Sequence, residues 1–268
     1  MLEDELTSIL ADRDIKQLII VDTAEQQELA RKLRSQNRPF LATGFSTVAT
    51  LAAESRQRAD AGEHSTQRRG FFKQLLHRRS VDDLVVVVNV LQLGLHVDSK
   101  LLKQEVYHQI ERMASFSDGI FVMYGVCDAL RTLEQDFNGG ACPLFFLADD
   151  DGATVEDCIA LALGGNQAYG DVLINDKDIV LFFTPMWAAH WQDLPDDYSL
   201  LKHVRFKKIA KVDTGLSYEP DFEANVDECA RRFYLRPVAL KGSTAVIHRS
   251  YQRAKSGVFS NIGANASV

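Results

Sequence analysis

The sequence is poor in cysteine, with four residues in a chain of 268: Cys127, Cys142, Cys158 and Cys229. Thiols this few and this far apart cannot form the dense disulfide framework that stabilises small secreted domains. No two of them form a Cys-x-x-Cys pair, which excludes the common zinc and thioredoxin motifs. We therefore expect reduced thiols, each serving as a small hydrophobic side chain, a metal ligand or a nucleophile.

Long hydrophobic runs are also missing. The longest, LVVVVNVL at 84–91 and DGIFVMYGV at 118–126, fall far short of the roughly 20 residues that span a bilayer. The chain begins with acidic residues instead of the basic and apolar stretch of a signal peptide. Its net charge of -7 gives no bulk attraction to nucleic acid or to a membrane surface. These features predict a cytoplasmic protein that binds neither, and they leave the oligomeric state open.

Several familiar functional motifs are absent. The sequence contains no GxGxxG after a strand, no GxxxxGK[ST], no HExxH and no GxSxG. Nucleotide binding of the common kinds and serine hydrolase chemistry therefore lose most of their support.

Alternating strand and helix patterns fill most of the chain. Strands separated by amphipathic helices predict an α/β fold, a mainly parallel sheet with helices on both faces in a Rossmann-like, three-layer arrangement. We predict a single domain over residues 1–255 and a frayed tail at 256–268. The predicted strands are 16–22, 38–45, 82–94, 118–126, 142–149, 177–185 and 236–242, and the predicted helices are 2–13, 23–37, 46–59, 98–116, 128–137, 154–165, 186–206 and 225–233.

A basic segment interrupts this pattern. Residues 54–80 hold seven Arg or Lys and three acids, a local charge of +4 in an acidic chain. We predict a mobile basic insertion at 55–80. It is either a solvated surface loop or a docking surface for an acidic partner protein or an anionic ligand.

The loop after the strand at 118–126 carries the first candidate site. In parallel sheets, ligands bind beyond the carboxyl ends of the strands, where Tyr124, Gly125 and Cys127 lie. Gly125 permits either a close backbone approach or a positive φ. Cys127 falls in the first turn of a predicted helix, a position that lowers the pKa of a thiol, although Asp128 beside it acts in the opposite direction. Cys127 is either a metal ligand, a nucleophile or a small side chain in a tight turn.

Neighbouring loops supply further candidates. We predict a helix that begins at the cap Thr154, carries Cys158 one turn later and ends at Gly164 and Gly165, where a binding loop is the alternative to a plain stop signal. His96, in the loop before a helix cap, is the histidine best placed to join two cysteines. Trp187 and Trp191 are four residues apart and form either a core contact or an aromatic wall over a ligand.

Four blocks of sequence together resemble a known family. They are LQLGLHVDSKLL, FSDGIFVMYGVCDAL, CPLFFLADDDGATVEDCIALALGGNQAY and FFTPMWAAHW. The chain resembles the domain-of-unknown-function family sixteen thirty-eight, whose members are common in methylotrophic methanogenic archaea and occur in bacteria with corrinoid-dependent methyltransferases. The resemblance implies cysteines at the positions of Cys127 and Cys158.

The chain departs from that family in two places. Members usually begin with a strand ending in Cys-Gly before an acidic helix, and this sequence begins at the helix. The family pattern YGxCGN is here YGVCDA, with Asp128 and Ala129 in place of Gly and Asn. We therefore expect a two-cysteine site completed by His96, an acid or a partner.

Three functions follow. The first is a metal, iron–sulfur or corrinoid-handling accessory factor in one-carbon metabolism, with Cys127, Cys158 and His96 as ligands and a corrinoid methyltransferase system protein as partner. Thiolates favour zinc, copper(I) or iron–sulfur units. The second is a group transferase with Cys127 as nucleophile. The third is a non-enzymatic ligand-binding or scaffold protein that docks a methyltransferase through the basic insertion.

Overall fold

The computed structural model describes residues 2–52, 84–92, 95, 98–125, 130–140, 142–175, 178, 180–193, 206–216 and 218–265. The basic insertion, Cys127 and His96 lie outside these residues. The elements in chain order are α1 (Glu3–Leu10), β1 (Ile15–Val21), a 3₁₀ turn (Ala24–Gln26), α2 (Gln27–Ser35), β2 (Leu41–Thr43), β3 (Leu84–Val88), α3 (Ser99–Ala114), β4 (Ile120–Val122), α4 (Leu133–Asp136), β5 (Leu144–Phe146), α5 (Cys158–Leu163), α6 (Asn166–Asn175), β6 (Val180–Phe183), α7 (Pro185–His190), a 3₁₀ turn (Trp191–Asp193), β7 (Lys208–Asp213), α8 (Phe222–Phe233), β8 (Arg236–Lys241) and α9 (Ala245–Asn265); residues 45–52 are also helical.

The chain forms two compact units whose sequence ranges interleave. The first comprises Met1–Ile9, Phe121–Asp136 and Phe145–Lys255, and the second comprises Leu10–Ile120, Phe137–Leu144 and Ser256–Val268. Because neither unit is a single stretch of chain, they do not test the sequence-based domain bounds, which stay a prediction.

The predicted fold class is confirmed: this is an α/β protein with parallel sheets, of the Rossmann-like kind. In the second unit, β1 lies between β2 and β3, and both pairings are parallel. Four consecutive residues of β1, Leu18–Val21, are buried, as expected for a central strand covered on both faces. Asp98 caps the helix α3, because its Oδ1 accepts from the N–H groups of Lys100 and Leu101 at 2.9 and 3.0 Å.

In the first unit, the parallel sheet has the order β6-β7-β8. Its central strand β7 is a correction to the sequence analysis, which predicts no strand there. Ile209, Ala210 and Val212 are fully buried, but Lys208 and Lys211 interrupt the apolar pattern. Both lysine side chains extend to the edge of the core. There the ammonium group of Lys208 pairs with Asp178, and that of Lys211 pairs with Glu223.

The end of the chain is also more regular than predicted. The helix α9 runs to Asn265 and so includes most of the segment predicted as a frayed tail. Beyond Gly257, the apolar face of α9 continues with Val258 and Ile262. These two residues are one helical turn apart, and both are half-buried. Among the described residues, none of the helices combines the length and the hydropathy that a membrane crossing requires.

Two of the apolar clusters in the first unit contain or adjoin the candidate site residues. One lies between α7, α8 and the sheet, and it includes Phe183, Trp191 and Cys229. The other joins α1, α5 and α9 to the segment after β5, and it includes Leu147, Val155 and Ile247. The candidate site residues that follow β4 and β5 lie beside this second cluster.

Candidate functional site

The loops that follow β4 and β5 meet at Gly125. A Cβ atom on this glycine would lie 2.5 Å from Asp157 Cα and 2.8 Å from both Asp157 N and Glu156 O. Real Cβ contacts are not this short, so only glycine allows the two backbones to approach this closely. The chain two residues before Cys127 therefore lies directly against the residue before Cys158. Of the two roles predicted for Gly125, a close backbone approach is the one observed.

Cys158 is the first residue of α5, not a residue one turn into the helix as predicted. The cap is Asp157 instead of Thr154, since Asp157 Oδ1 accepts from the N–H groups of Ile159 and Ala160, both at 2.8 Å. Thr154 is bridged to Ala148 in an antiparallel pair, and Val155 N–H donates to Leu147 O at 3.0 Å. Because the backbone of Thr154 takes part in this turn, α5 begins later in the chain than predicted.

The Cys158 side chain is half-buried against the cluster that contains Val155 and Ile247. Tyr169 of α6 packs on the same cluster, and its ring makes an edge contact with Phe182. Burial raises the pKa of Tyr169, and the negative charges of Asp157, Glu156 and Cys158 raise it further. Its hydroxyl is therefore neutral at physiological pH and can donate a hydrogen bond. Tyr169 is not among the residues predicted from the sequence, because no motif marks it.

Asn166 fixes the segment that leads into Cys158. Its Nδ2 donates to Thr154 O at 3.1 Å, and its Oδ1 accepts from Glu156 N–H at 2.9 Å. Its own N–H donates to Asp149 Oδ2 at 2.7 Å. One side chain at the start of α6 thus sets the backbone on either side of Val155.

Gly164 and Gly165 end α5 as predicted. Gly164 is left-handed, with φ of 100°, and its N–H donates to Leu161 O, while Gly165 N–H donates to Ala160 O. A Cβ on Gly165 would lie 2.5 Å from Asp149 Oδ1. The two glycines therefore allow α5 to end, and Gly165 also leaves room for the Asp149 carboxylate. They lie at the opposite end of α5 from Cys158, about 9 Å along the axis.

A small cavity adjoins the Gly125 contact. Its volume is about 30 Å³, enough for one or two water-sized groups. Two of the predicted cofactor-binding residues, Tyr124 and Gly125, contribute to its wall. The lining residues are Tyr124, Gly125, Leu130, Arg131, Leu133, Glu134, Phe146 and Thr154.

The two tryptophans belong to a different region. Trp191 is 3% exposed and packs edge-on against Phe233, with the Arg232 guanidinium 5.4 Å from its ring centroid. Trp187 is half-buried on the same cluster. Their use as a wall over a ligand stays a prediction.

The remaining thiols, Cys142 and Cys229, lie away from the Gly125 contact. Cys142 and Cys229 are buried, and burial raises the pKa of Cys229 to about 12. Within the described part of the chain, no group of three or more His, Cys, Asp or Glu residues could hold a metal ion. Cys127 and His96, which complete the predicted ligand set, lie outside that part.

These features define the class of the protein: an α/β protein whose candidate site lies in loops that follow β4 and β5. The chain belongs to the family described as "Protein of unknown function (DUF1638)", whose model matches residues 90–251. The matched range includes Gly125, Cys127 and Cys158. No curated protein and no solved structure matches the chain.

Proposed function

We propose that Cys127 and Cys158 form a thiolate site that binds a soft metal ion or an iron–sulfur unit, in an accessory protein of methyl-transfer metabolism. The observation that supports this proposal is the contact of Gly125 with Asp157. It holds the chain two residues before one cysteine against the residue before the other. A side chain at position 125 would separate the two loops. In this proposal the protein works in the cytoplasm, where thiols stay reduced.

The surroundings of Cys158 suit a metal ion that is coordinated by only a few protein side chains. The Asp157 carboxylate accepts the hydrogen bonds that cap α5. Among the described residues, Cys158 contributes the sulfur ligand of the proposed site. Two thiolates with His96, an acid or a partner as a third donor would leave an open coordination position. Thiolate ligands select zinc, copper(I) or iron–sulfur units over magnesium or calcium.

The pair of thiolates favours a small occupant, because thiolate ligands hold metal ions and iron–sulfur units. We therefore favour a metal ion or a small cluster at the site itself. A corrinoid would then be bound by the methyltransferase partner. The protein would deliver a component to that partner or repair one of its components.

Metal content of anaerobically purified protein tests the proposal. We expect stoichiometric zinc, copper or iron, with a visible absorption band if a cluster is present. Cys127→Ala and Cys158→Ala should each lose the metal and keep the far-UV circular dichroism of the parent. Cys142→Ala is the matched control, because the same atom is removed from a buried thiol that lies before β5 and outside both loops.

Two results would contradict the proposal. One is a metal-free parent after reconstitution with zinc, copper(I) and ferrous iron with sulfide. The other is metal loss in Cys142→Ala as large as in the two site variants. A metal-free protein in which iodoacetamide modifies Cys127 much faster than Cys158 would instead favour the cysteine-dependent transferase.

A further inference from the structure

A basic surface lies at the amino edge of the β6-β7-β8 sheet. The strand register pairs Val180 with Lys208 and Lys208 with Arg236, so the first residues of the three strands lie side by side. Paired strands are about 5 Å apart. The end of α8 reaches the same edge, because only Tyr234 and Leu235 separate α8 from β8. We call this surface the amino-edge patch, and its residues are Lys207, Lys208, Arg231, Arg232, Tyr234 and Arg236.

The patch concentrates positive charge in an acidic chain. It holds five Lys or Arg in a protein whose net charge is -7. Asp178 accepts from Lys207 at 3.2 Å and from Lys208 at 3.0 Å. The two lysine side chains lower the pKa of Asp178, with the hydrogen bond from Lys208 as the largest cause. One carboxylate thus offsets part of the charge, and the exposed arginines extend it.

Packing within the protein does not explain why residue 234 of the patch is a tyrosine. It is 96% exposed, so the ring buries almost nothing within the protein. Its backbone is left-handed, with φ of 56° and ψ of 40°. Glycine or asparagine is the usual residue at such a helix end, and a bulky side chain there is unfavourable. An exposed aromatic residue held in a strained conformation points to a role outside the folding of the chain.

The other residues have partial structural explanations. Arg236 and Pro237 discourage strand pairing at the edge of the three-stranded sheet, where β8 lies. Arg232 is held over the rings of Trp191 and Phe233. The ring contacts of Arg232 fix the direction of its charge but do not account for a tyrosine between Arg232 and Arg236.

We propose that the amino-edge patch docks an acidic segment of a partner protein, with Tyr234 as the central aromatic anchor. Aromatic and arginine side chains are the residues that dominate binding energy at protein interfaces. Nucleic acid fits less well, because the patch has few cations and the acidic remainder of the chain would repel an extended polyanion. The patch lies at the edge opposite the carboxyl ends of its strands, so a docked partner leaves those ends accessible.

Fluorescence anisotropy with a short labelled peptide of alternating glutamate and leucine tests this inference. We expect binding at low salt that weakens as salt is added, because exposed charges are screened. Tyr234→Gly should weaken binding about tenfold, and so should the double variant Arg231→Gln with Arg236→Gln. Lys241→Gln is the matched control, because it removes one positive charge at the other end of β8 and should leave binding unchanged.

Stability measurements keep the test decisive. Tyr234→Gly should unfold at a higher temperature than the parent, because glycine adopts the left-handed conformation without strain. Weaker binding by a more stable protein cannot result from unfolding. The inference is overturned if the peptide does not bind, if Lys241→Gln is as damaging as Tyr234→Gly, or if an oligothymidylate of equal charge binds more tightly than the peptide.

Discussion

The contact between Gly125 and Asp157 can be tested by adding a single methyl group. In Gly125→Ala, the new carbon would lie 2.5 Å from Asp157 Cα and 2.8 Å from two further backbone atoms. Carbon atoms in good contact are about 3.5–4.0 Å apart, so at least one backbone must move by about 1 Å. The neighbours are backbone atoms, and no flexible side chain can turn away to make room.

The cost of this movement is set by what holds the two loops. Gly125 follows β4, and Asp157 is fixed by its hydrogen bonds to α5. Overpacking of a closed site lowers the free energy of unfolding by about 1–3 kcal/mol, and three simultaneous backbone contacts place this variant at about 3 kcal/mol. With a urea dependence of about 3 kcal/mol per M, the unfolding midpoint should fall by about 1 M.

Gly170→Ala is the control for this experiment. Gly170 lies inside α6 with nothing within 4 Å of its added Cβ, so alanine there should stabilise the helix by about 0.5–1 kcal/mol. Urea unfolding followed by circular dichroism measures both variants. The reasoning is refuted if Gly125→Ala unfolds at the parent's midpoint while Gly170→Ala shows its expected gain.

Two further predictions concern the cap of α5 and a buried thiol. Asp157→Ala should lower the free energy of unfolding by about 1 kcal/mol, whereas Asp157→Asn should preserve the cap and, in a spectroscopic titration, lower the pKa of Tyr169 by removing a nearby negative charge. Equal stability of the two variants would show that the cap contributes nothing. Because the folded protein holds the Cys229 proton up to a pKa of about 12, above the value of 9.0 for a free thiol, stability should fall as pH rises from about 9 to 12. The decline should be smaller in Cys229→Ala, and an unchanged pH profile would assign it to other groups.

The fold class and most elements could be predicted from the sequence because their patterns are local. The run Leu18–Val21 identifies a buried strand, Asp98 a helix cap, and Gly164 with Gly165 a helix end. The strand β7 could not be recognised, since Lys208 and Lys211 obscure its three buried residues. Their charges are satisfied by Asp178 and Glu223, which the local pattern does not reveal.

The candidate site could be predicted only in part. Gly125 is anticipated as a point of close approach, but the residue that it contacts is 32 positions later in the chain. Thr154 and Asp157 are both good caps by type, and the bridge between Thr154 and Ala148 decides between them. Tyr169 reaches the site through the packing of α6, for which the sequence offers no periodic signal.

The helices α1 and α9 lie at opposite ends of the chain yet share one core. Leu2 and Ile9 pack with Val246 and Ile247, and a hydrogen bond of 3.3 Å joins Ser8 Oγ to His248 Nε2 across 240 residues of sequence. During synthesis at about 5–20 residues per second, α1 therefore waits roughly 10–50 seconds for its partners on α9. Until α9 has been synthesised, the residues of α1 that pack against Val246 and Ile247 lack these partners.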